Sequence, residues 1–500
     1  MFDVLIIGSG IGGLIAANLL AKEGLKVCIV EKNKQIGGNL QTFSKQKQIF
    51  DTGVHYIGGL GQGQNLYQIF KYLGLMNALR IEQMDEGFDR IVFDGDDTVY
   101  LQSQGYEAFI KNLIKQFPKE EKGIVAYCEK IKDVCSRFPL YHLTMEGDES
   151  AKHSVIAESA QGVIEEFTTD KKLQAVFAGN HLLYAGEADK TPFHVHALIV
   201  NSYIESSWKL VGGGGQISKF LATQLKKMGG EIIKNSEVAK ILGQNEKITH
   251  VETEDGRKLF AKNFISNISP AVTLSMVASD TLKGAYPKRI SSLEHTISSF
   301  SLYIVLKEKT VPYANYNYYH HKTTEVWQMN HYTEANWPLG YGLYFTRDKN
   351  HPEYASSVSA LTTMRFSDVA PWKDTYNRVG REAQRGEGYE RFKQKKMGQF
   401  LQAIEKKFPE IKENSTHIYA ATPLTNRDYI GMHDGSMYGI QKDFNHPLKT
   451  WISPRTKISN LFLTGQNINL HGILGTSLSA ILTCTLLLDD KSIVDKIKNA

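Results

Sequence analysis

The sequence predicts an α/β fold: a doubly wound sheet carrying a β-meander, joined to a second unit built on a mixed sheet with a helical insertion. Three observations predict it. Within about thirty residues of the start, an apolar β-type run, a glycine turn, a helical stretch and another β-type run succeed one another. Three short β-type runs gather between residues 231 and 266. From about 105 to 205 the pattern is mostly helical.

In order, Phe2 to Ile7 is an apolar run of strand type, and Ile11 to Glu23 has a helical period that stops before Gly24. Lys26 to Val30 predicts the second strand. Gln48 to Tyr56 predicts another, leading into the glycine-rich turn Gly58-Gly59-Leu60-Gly61-Gln62-Gly63. Charged helices such as Lys119 to Phe138 fill the insertion, with a polar break around Glu146 to Lys152. Gly212 to Gly215 opens an amphipathic helix, Ile217 to Lys227, which Gly229-Gly230 ends. The meander runs are Glu231 to Leu242, Ile248 to Glu254 and Lys258 to Ser266, the last two joined at Asp255-Gly256. From about 290 to 445, β-type and polar segments rich in Tyr and His predict the second sheet. A chain of 500 residues exceeds one ordinary core, so two domains are expected. Residues 1–65, 211–275 and 455–500 form the first, and 66–210 with 276–454 form the second, including a lid at about 105–205.

Composition narrows the functional classes. With 42% hydrophobic and 22% charged residues the chain has the balance of a soluble globular protein. The formal charge is +5 without a long basic run, which argues against nucleic acid as a partner. Cys28, Cys128, Cys135 and Cys484 form no CxxC pair, which fits a reducing compartment and offers no metal or cluster site. The start, Met-Phe-Asp, lacks a basic segment and is broken by glycines, so a cytoplasmic chain is expected. The apolar stretch from Leu461 to Leu488 contains Gln466, Asn467, Asn469 and His471 and does not read as a membrane span.

The strongest motif is Gly8-Ser9-Gly10-Ile11-Gly12-Gly13, a GxGxxG that succeeds a strand and opens a helix. Gly8 permits the tight turn, Gly10 admits a pyrophosphate to the backbone, and Gly13 lets helix and strand approach. The helix N-terminus offers free N–H groups and a positive dipole end to the phosphates. Glu31 stands at a strand end 18 residues after Gly13, placed to accept hydrogen bonds from an adenosine ribose. Residues farther along the chain favour FAD over NAD. After Glu31-Lys32, a second glycine pair, Gly37-Gly38-Asn39, suits a long pyrophosphate and ribityl arm. Leu461 to Leu463 is a strand ending at Gly465-Gln466, and Gly472-Ile473-Leu474-Gly475 opens an apolar helix whose N–H groups would face the flavin edge.

These residues resemble the phytoene desaturase, carotenoid isomerase and retinol saturase branch of the FAD-dependent amine-oxidase-like superfamily, the retinol saturases most of all. The resemblance covers essentially the whole chain. It rests on the GxGxxG segment, on Phe50-Asp51-Thr52-Gly53-Val54-His55-Tyr56-Ile57-Gly58, and on Pro192-Phe193-His194-Val195-His196-Ala197-Leu198 with the stretch from Tyr203 to Gly213. Thr422-Pro423-Leu424-Thr425-Asn426 and Asn460-Leu461-Phe462-Leu463-Thr464-Gly465-Gln466-Asn467 complete it. It implies a Rossmann-type FAD-binding domain with a mixed-sheet substrate domain, Gly53 and Val54 against the flavin, and Val238 meeting the adenine through its backbone. Two departures stand out. Asn39 occupies the place of an arginine in many relatives, and Trp208-Lys209-Leu210-Val211-Gly212-Gly213 replaces a Tyr-Pro-Arg-Gly-Gly pattern.

On the substrate side, His55 and Tyr56 either hold the flavin or deliver a proton beside a hydride, with a purely structural hydrogen-bonding histidine as the alternative. His194 and His196 are two apart on a helix, so at most one faces a cavity, and His196 is the candidate. Tyr313 to His321 is a cavity wall or an exposed aromatic hairpin, and His320-His321 is a poor metal pair. The functional expectation is an FAD-dependent oxidoreductase acting on C=C bonds of an apolar polyene, as saturase or desaturase. A cis-trans isomerase using reduced FAD, or a prenyl or lipid carrier of the same fold, are the alternatives. No second GxGxxG is present, so the electron partner is not specified. Phe109-Ile110 and Phe138-Pro139-Leu140-Tyr141, near Lys111, Lys115, Lys119, Lys122, Lys130, Lys132 and Arg137, suggest reversible docking on an anionic membrane, or an ordinary lid whose apolar residues pack inward.

Overall fold

The computed structural model describes every residue except 148, 245, 279–283 and 378–383. Position 148, inside the expected polar break of the insertion, therefore lies outside the described residues. The first sheet has the strand order Glu231–Ile233, Val27–Val30, Phe2–Ile7, Lys258–Ser266, Lys247–Thr253, Val238–Gln244, with Leu461–Leu463 also paired to Lys258–Ser266. Phe2–Ile7 runs parallel to both neighbours, Ile6 lying opposite Ile29 on one side and Ile265 on the other. All of Val27–Val30 is buried, as a parallel strand covered on both faces requires. The helix Ile11–Lys22 packs against the helix Gly472–Leu488, and Cys484 Sγ lies 3.7 Å from the Ala16 carbonyl. Two glycine-opened helices thus start beside the same end of the sheet.

Two strand boundaries differ from expectation. The run from Glu231 to Leu242 divides: Glu231–Ile233 joins the edge of the parallel sheet, and only Val238–Gln244 enters the antiparallel meander. Asn235 at φ 51° turns the chain between them, because a left-handed residue cannot continue an extended run. The strand expected over Gln48 to Tyr56 stops at Asp51, opposite Thr42 of its partner Thr42–Lys45, and a separate short strand forms at Ile57–Gly58.

The second sheet is mixed, in the order Ser415–Ala421, Ser298–Leu306, Ala355–Met364, Gly340–Arg347, Asn317–His321, Asp89–Phe93, Tyr100–Gln102. Among its described strands, only Asn317–His321 and Asp89–Phe93 pair in parallel. The Tyr-rich run ends in an interior strand in which Tyr319, His320 and His321 are buried, and it forms no exposed hairpin. His320 Nε2 meets Asp94 Oδ1 at 2.8 Å and His321 Nε2 meets the Gly179 carbonyl at 2.7 Å, so the two imidazoles diverge. Among the described residues no group of side chains is arranged to hold a metal ion.

The insertion includes the helices Tyr106–Gln116, Glu121–Ser136 and Ala160–Phe167, which pack against Phe193–Glu205, and Lys171–Phe177, which packs against Ala160–Phe167. Phe193–Glu205 is apolar on nearly every side and sits at the centre, the position such a helix demands. Tyr127 stacks on Phe177 with ring centroids 3.9 Å apart. Of the apolar residues expected to dock on a membrane, Phe109 and Tyr141 are buried, and Ile110, Phe138 and Leu140 pack against the same core. Lys130 pairs with Glu158 at 2.9 Å, Arg137 pairs with Asp133 at 2.9 Å, and Lys132 lies over the Tyr106 ring at 4.0 Å. The expected docking face is turned inward, since its apolar stripe finds a helical partner. No helix among the described residues is long and apolar enough to cross a membrane.

Because Phe177 is fully buried and stacked, Phe177→Ala should cost about 3–5 kcal/mol of stability through lost contact and the cavity it leaves. Denaturant unfolding followed by tyrosine fluorescence measures this; a loss below about 1 kcal/mol would show that the insertion core repacks.

Candidate active site

A cavity of about 350 Å³ opens at the carboxyl ends of the first sheet's strands, lined there by Gly8, Glu31, Asn267 and Gln466. This is where a doubly wound sheet presents its ligand crevice. From there it extends to the second sheet, which contributes Ser299, Tyr344 and Leu361, and to the helix Phe193–Glu205, which contributes Leu198, Ile199, Ser202 and Tyr203.

The glycines act in pairs. Gly8 has φ 92°, a backbone region that a side chain would strain. A Cβ on Gly13 would lie 2.4 Å from the Gly8 carbonyl oxygen, so Gly13 stands behind the cavity and sets the helix–strand approach. A Cβ on Gly38 would lie 3.2 Å from Gly10 Cα, and Gly37 forms a β-bridge with Gly10. The Gly37 N–H donates to the Ser9 carbonyl at 3.1 Å and to Ser9 Oγ at 3.2 Å. The two glycine segments therefore close into one cradle of bare backbone. Among the described residues no side chain caps the helix that Gly10 opens, nor the one that His471 precedes, so both leave N–H groups for a ligand.

Glu31 is buried at the cradle's edge. Its Oε2 accepts from the Ser9 N–H at 2.9 Å and from Ser9 Oγ at 2.6 Å, and its Oε1 accepts from the Asn33 N–H at 2.8 Å. The carboxylate thus ties the glycine loop to the second strand while still lining the cavity. Asn39 Nδ2 donates to Gln466 Oε1 at 3.3 Å, so the residue in the arginine's place is engaged with a neighbour across the cavity.

Of the expected cofactor residues, Gly8, Gly10, Ile11, Gly12, Glu31, Lys32, Gly37, Gly38, Asn39, Gly53, Val54, Val238, Gln466, Gly472, Ile473 and Gly475 line the cavity. Gly13 and Gly465 do not; Gly465, at φ 100°, lies against the Asn267 side chain. His55 and Tyr56 also line it. The His55 ring stacks on Tyr344 at 4.1 Å and 8°, and burial lowers its pKa to about 4, which leaves a neutral imidazole. Tyr56 Oη donates to Asp89 Oδ2 at 2.7 Å, and burial first, then Asp89, pushes its pKa well up.

His196 is a correction. It is fully buried away from the cavity, with Nε2 2.7 Å from Tyr127 Oη and Nδ1 2.8 Å from Tyr184 Oη. From the same helix Leu198, Ile199, Ser202 and Tyr203 line the cavity, whereas both ring nitrogens of His196 are taken up by tyrosines of the insertion. His194 faces it no better and stacks on Phe138. Asn267 and His471 are among the lining residues that escaped the sequence reading. Asn267 touches the space above Gly8, Gly10, Gly12, Gly13 and Gly465, and its position just past a strand that neighbours the first was the available signal. His471, its ring tilted against Tyr438 with centroids 4.3 Å apart and its pKa lowered to about 4 by burial, precedes the Gly472 helix.

The pattern of the flavin containing amine oxidoreductases matches residues 11–488. The chain belongs to that family. It is a flavin-dependent oxidoreductase whose cofactor is FAD, and the bare-backbone cradle with two uncapped helix ends fits that group. Among curated proteins it is 28% identical to an all-trans-retinol 13,14-reductase of Danio rerio, over 96% of this chain and 85% of that one. It is 23% identical to a chloroplastic prolycopene isomerase of Daucus carota, over 96% and 79%. Among solved structures, an oxidoreductase from Methanosarcina mazei shares the fold with a TM-score of 0.64 and 17% identity, over 96% of this chain and 98% of that one.

Gly10→Val should fold yet lose FAD, because the new side chain meets only the flexible Asn267 amide, at 2.8 Å, and otherwise fills the cradle. Gly13→Val should fail to fold, since it strikes backbone. The absorption spectrum of each purified variant is the measurement, and full flavin retention by Gly10→Val would remove the cradle assignment. Glu31→Ala should weaken FAD binding by about 1.5–3 kcal/mol in a calorimetric titration. An unchanged Kd would mean that the carboxylate serves Ser9 and Asn33 alone.

Proposed function

We propose that this protein acts on C=C bonds of a long apolar polyene of retinoid or carotenoid type, saturating or desaturating them. The observation that carries this reading is the distribution of charge along the cavity. Among the described residues its ionised lining side chains, Glu31, Lys32 and Glu237, all stand at the first sheet's strand ends. The remainder offers Leu183, Leu198, Ile199, Leu361, Met437 and Leu470, with tyrosines and two neutral imidazoles. A cationic amine would find no carboxylate among the described residues lining that part, whereas a hydrocarbon loses nothing on entering it. The likeness to retinol reductases and prolycopene isomerases supports the same substrate class.

In this reading the cradle residues, with Gly53, Val54 and the backbone at Val238, hold FAD, and residues 1–65, 211–275 and 455–500 form its domain. His55 and Tyr56 stand at the boundary and face the substrate side, which 66–210 and 276–454 form. When bound, FAD supplies hydride exchange with carbon. The chain's own contribution is to exclude water, to hold the apolar substrate straight between Leu198 and Leu361, and to keep the His55 imidazole neutral and stacked beside it. Isomerisation without net redox change is the second reading, favoured by the prolycopene isomerase likeness.

Anaerobic incubation of dithionite-reduced protein with retinoids and carotenoids, followed by mass analysis, tests both. A gain of two hydrogens is expected. An unchanged mass with altered chromatographic retention would select the isomerase, and inertness towards every polyene combined with oxidation of primary amines would defeat the proposal.

A further inference from the structure

Behind the cavity wall the second sheet holds a carboxyl group sealed from solvent. Asp89 is fully buried. Its Oδ2 accepts from Tyr56 Oη at 2.7 Å and from Asn180 Nδ2 at 3.2 Å, and its Oδ1 accepts from Asn317 Nδ2 at 2.9 Å. Tyr56 Oη shares a second hydrogen bond with Tyr319 Oη at 2.8 Å, and Tyr344 Oη donates to Tyr319 Oη at 3.3 Å. Tyr56 and Tyr344 line the cavity; Asp89 and Tyr319 do not. Three hydroxyls in series therefore join a buried acid to two residues of the wall.

A carboxylate buried for stability alone is ordinarily met by a cation. The ammonium of buried Lys209 is instead bonded to the carbonyls of Ala314 at 2.8 Å and Phe345 at 3.4 Å, and reaches Asp89 only through space. The donors that do reach Asp89, among the described residues, are all neutral. The titratable groups facing it are Tyr56, Tyr319, Tyr344, Tyr203 and Lys209, and Gln102 completes the shell by accepting from Asn180.

We propose that Asp89 stores the proton exchanged with substrate in the cavity, and that the hydroxyls of Tyr56, Tyr319 and Tyr344 pass it to and from the wall. The proposal rests on the polyene reading above. Burial pushes the Asp89 carboxyl up to about 6 against the pull of its three donors and Lys209, so both protonation states are accessible near neutral pH. The tyrosines are pushed upward by burial, so they conduct a proton without storing a phenolate.

In the saturating direction the carboxyl O–H bond breaks and its electron pair stays on Oδ2. Tyr56 Oη takes that proton and releases its own, Tyr319 and Tyr344 repeat the exchange, and one proton leaves the series at the wall. It bonds to the substrate carbon through the former π pair, and reduced FAD, when bound, would supply the hydride that completes the addition. The carboxylate remains held by Tyr56, Asn180 and Asn317 until a proton entering at the wall returns along the same hydroxyls, and desaturation runs in reverse. Asp89 and Tyr319 are positioning residues here, because neither touches the cavity.

Infrared difference spectra of FAD-loaded protein across pH, with single-turnover polyene reduction, test this in wild type, Asp89→Asn and Tyr319→Phe. A carboxyl C=O band should titrate near pH 6 in wild type and be missing in Asp89→Asn. The wild-type rate should fall as pH rises through that value, since the stored proton is then lost. Asp89→Asn should be slower at low pH by about a hundredfold and show no inflection. Tyr319→Phe should keep the band yet slow the reaction. A band that persists in Asp89→Asn, or an inflection unmoved in both variants, overturns the proposal. If wild type reduces no polyene, the functional reading fails, while the band alone still decides whether Asp89 holds a proton. If Asp89→Asn does not retain FAD, an unaltered rate in Tyr319→Phe overturns the relay.

Discussion

The structure depends on one close approach, that of backbone to backbone at the end of the first strand. Gly13 comes so near Gly8 that a Cβ would sit 2.4 Å from its carbonyl oxygen, and Gly38 comes nearly as close to Gly10. At Gly13 a larger residue would strike backbone, and at Gly38, with φ 55°, it would be both strained and tightly placed. The first fixes the angle at which the helix Ile11–Lys22 leaves the sheet, and the second folds the segment after Glu31 back over the helix end. Once both are made, the N–H groups of that end have no side-chain cap and face an opening of bare main chain. Affinity for an extended anion follows from the packing. Glu31 binds the arrangement together by accepting from Ser9 within the glycine loop and from Asn33 beyond the strand.

The second unit solves a different problem, that of lining a cavity with side chains that are mostly ring while their hydroxyls keep partners. Its wall carries tyrosines whose hydroxyls are met by the protein itself: Tyr56 by Asp89, Tyr344 by Tyr319 and Tyr438 by the Leu182 carbonyl. Each ring supplies apolar surface, and each hydroxyl keeps a hydrogen-bond partner. The same construction explains the neutral histidines. His55 stacks on Tyr344 and His471 lies tilted against Tyr438, and desolvation keeps both uncharged at physiological pH.

What could be read from the sequence divides along the same line. The cradle was legible because its signals are local: glycine spacing, a helix start and an acidic strand end fall within residues 8 to 38. The tyrosine wall was not, because Tyr56, Asp89, Tyr319 and Tyr344 meet only after two sheets have formed, and no periodicity encodes such a meeting. His196 was misjudged for a related reason. In Phe193–Glu205 nearly every position is buried, so the pattern carries no face, and only the partners Tyr127 and Tyr184 decide which way residue 196 turns. An amphipathic stripe such as that containing Phe109 states that something apolar covers it, without stating whether that is lipid or another helix.

The departures from the family pattern acquire meaning once the partners are seen. An arginine at position 39 would bring a fixed cation into the cavity near Gln466; Asn39 brings an amide that spends itself on Gln466 and adds no charge. Lys209, by contrast, brings a charge into the interior and then points it away from the cavity, onto the carbonyls of Ala314 and Phe345. Its pKa falls to about 7 through burial, so its positive charge weakens as pH rises past neutrality. Loss of that charge removes one of the influences holding Asp89 ionised, which raises the affinity of Asp89 for a proton in the pH range where solvent offers fewer. The two buried groups oppose each other's titration through space.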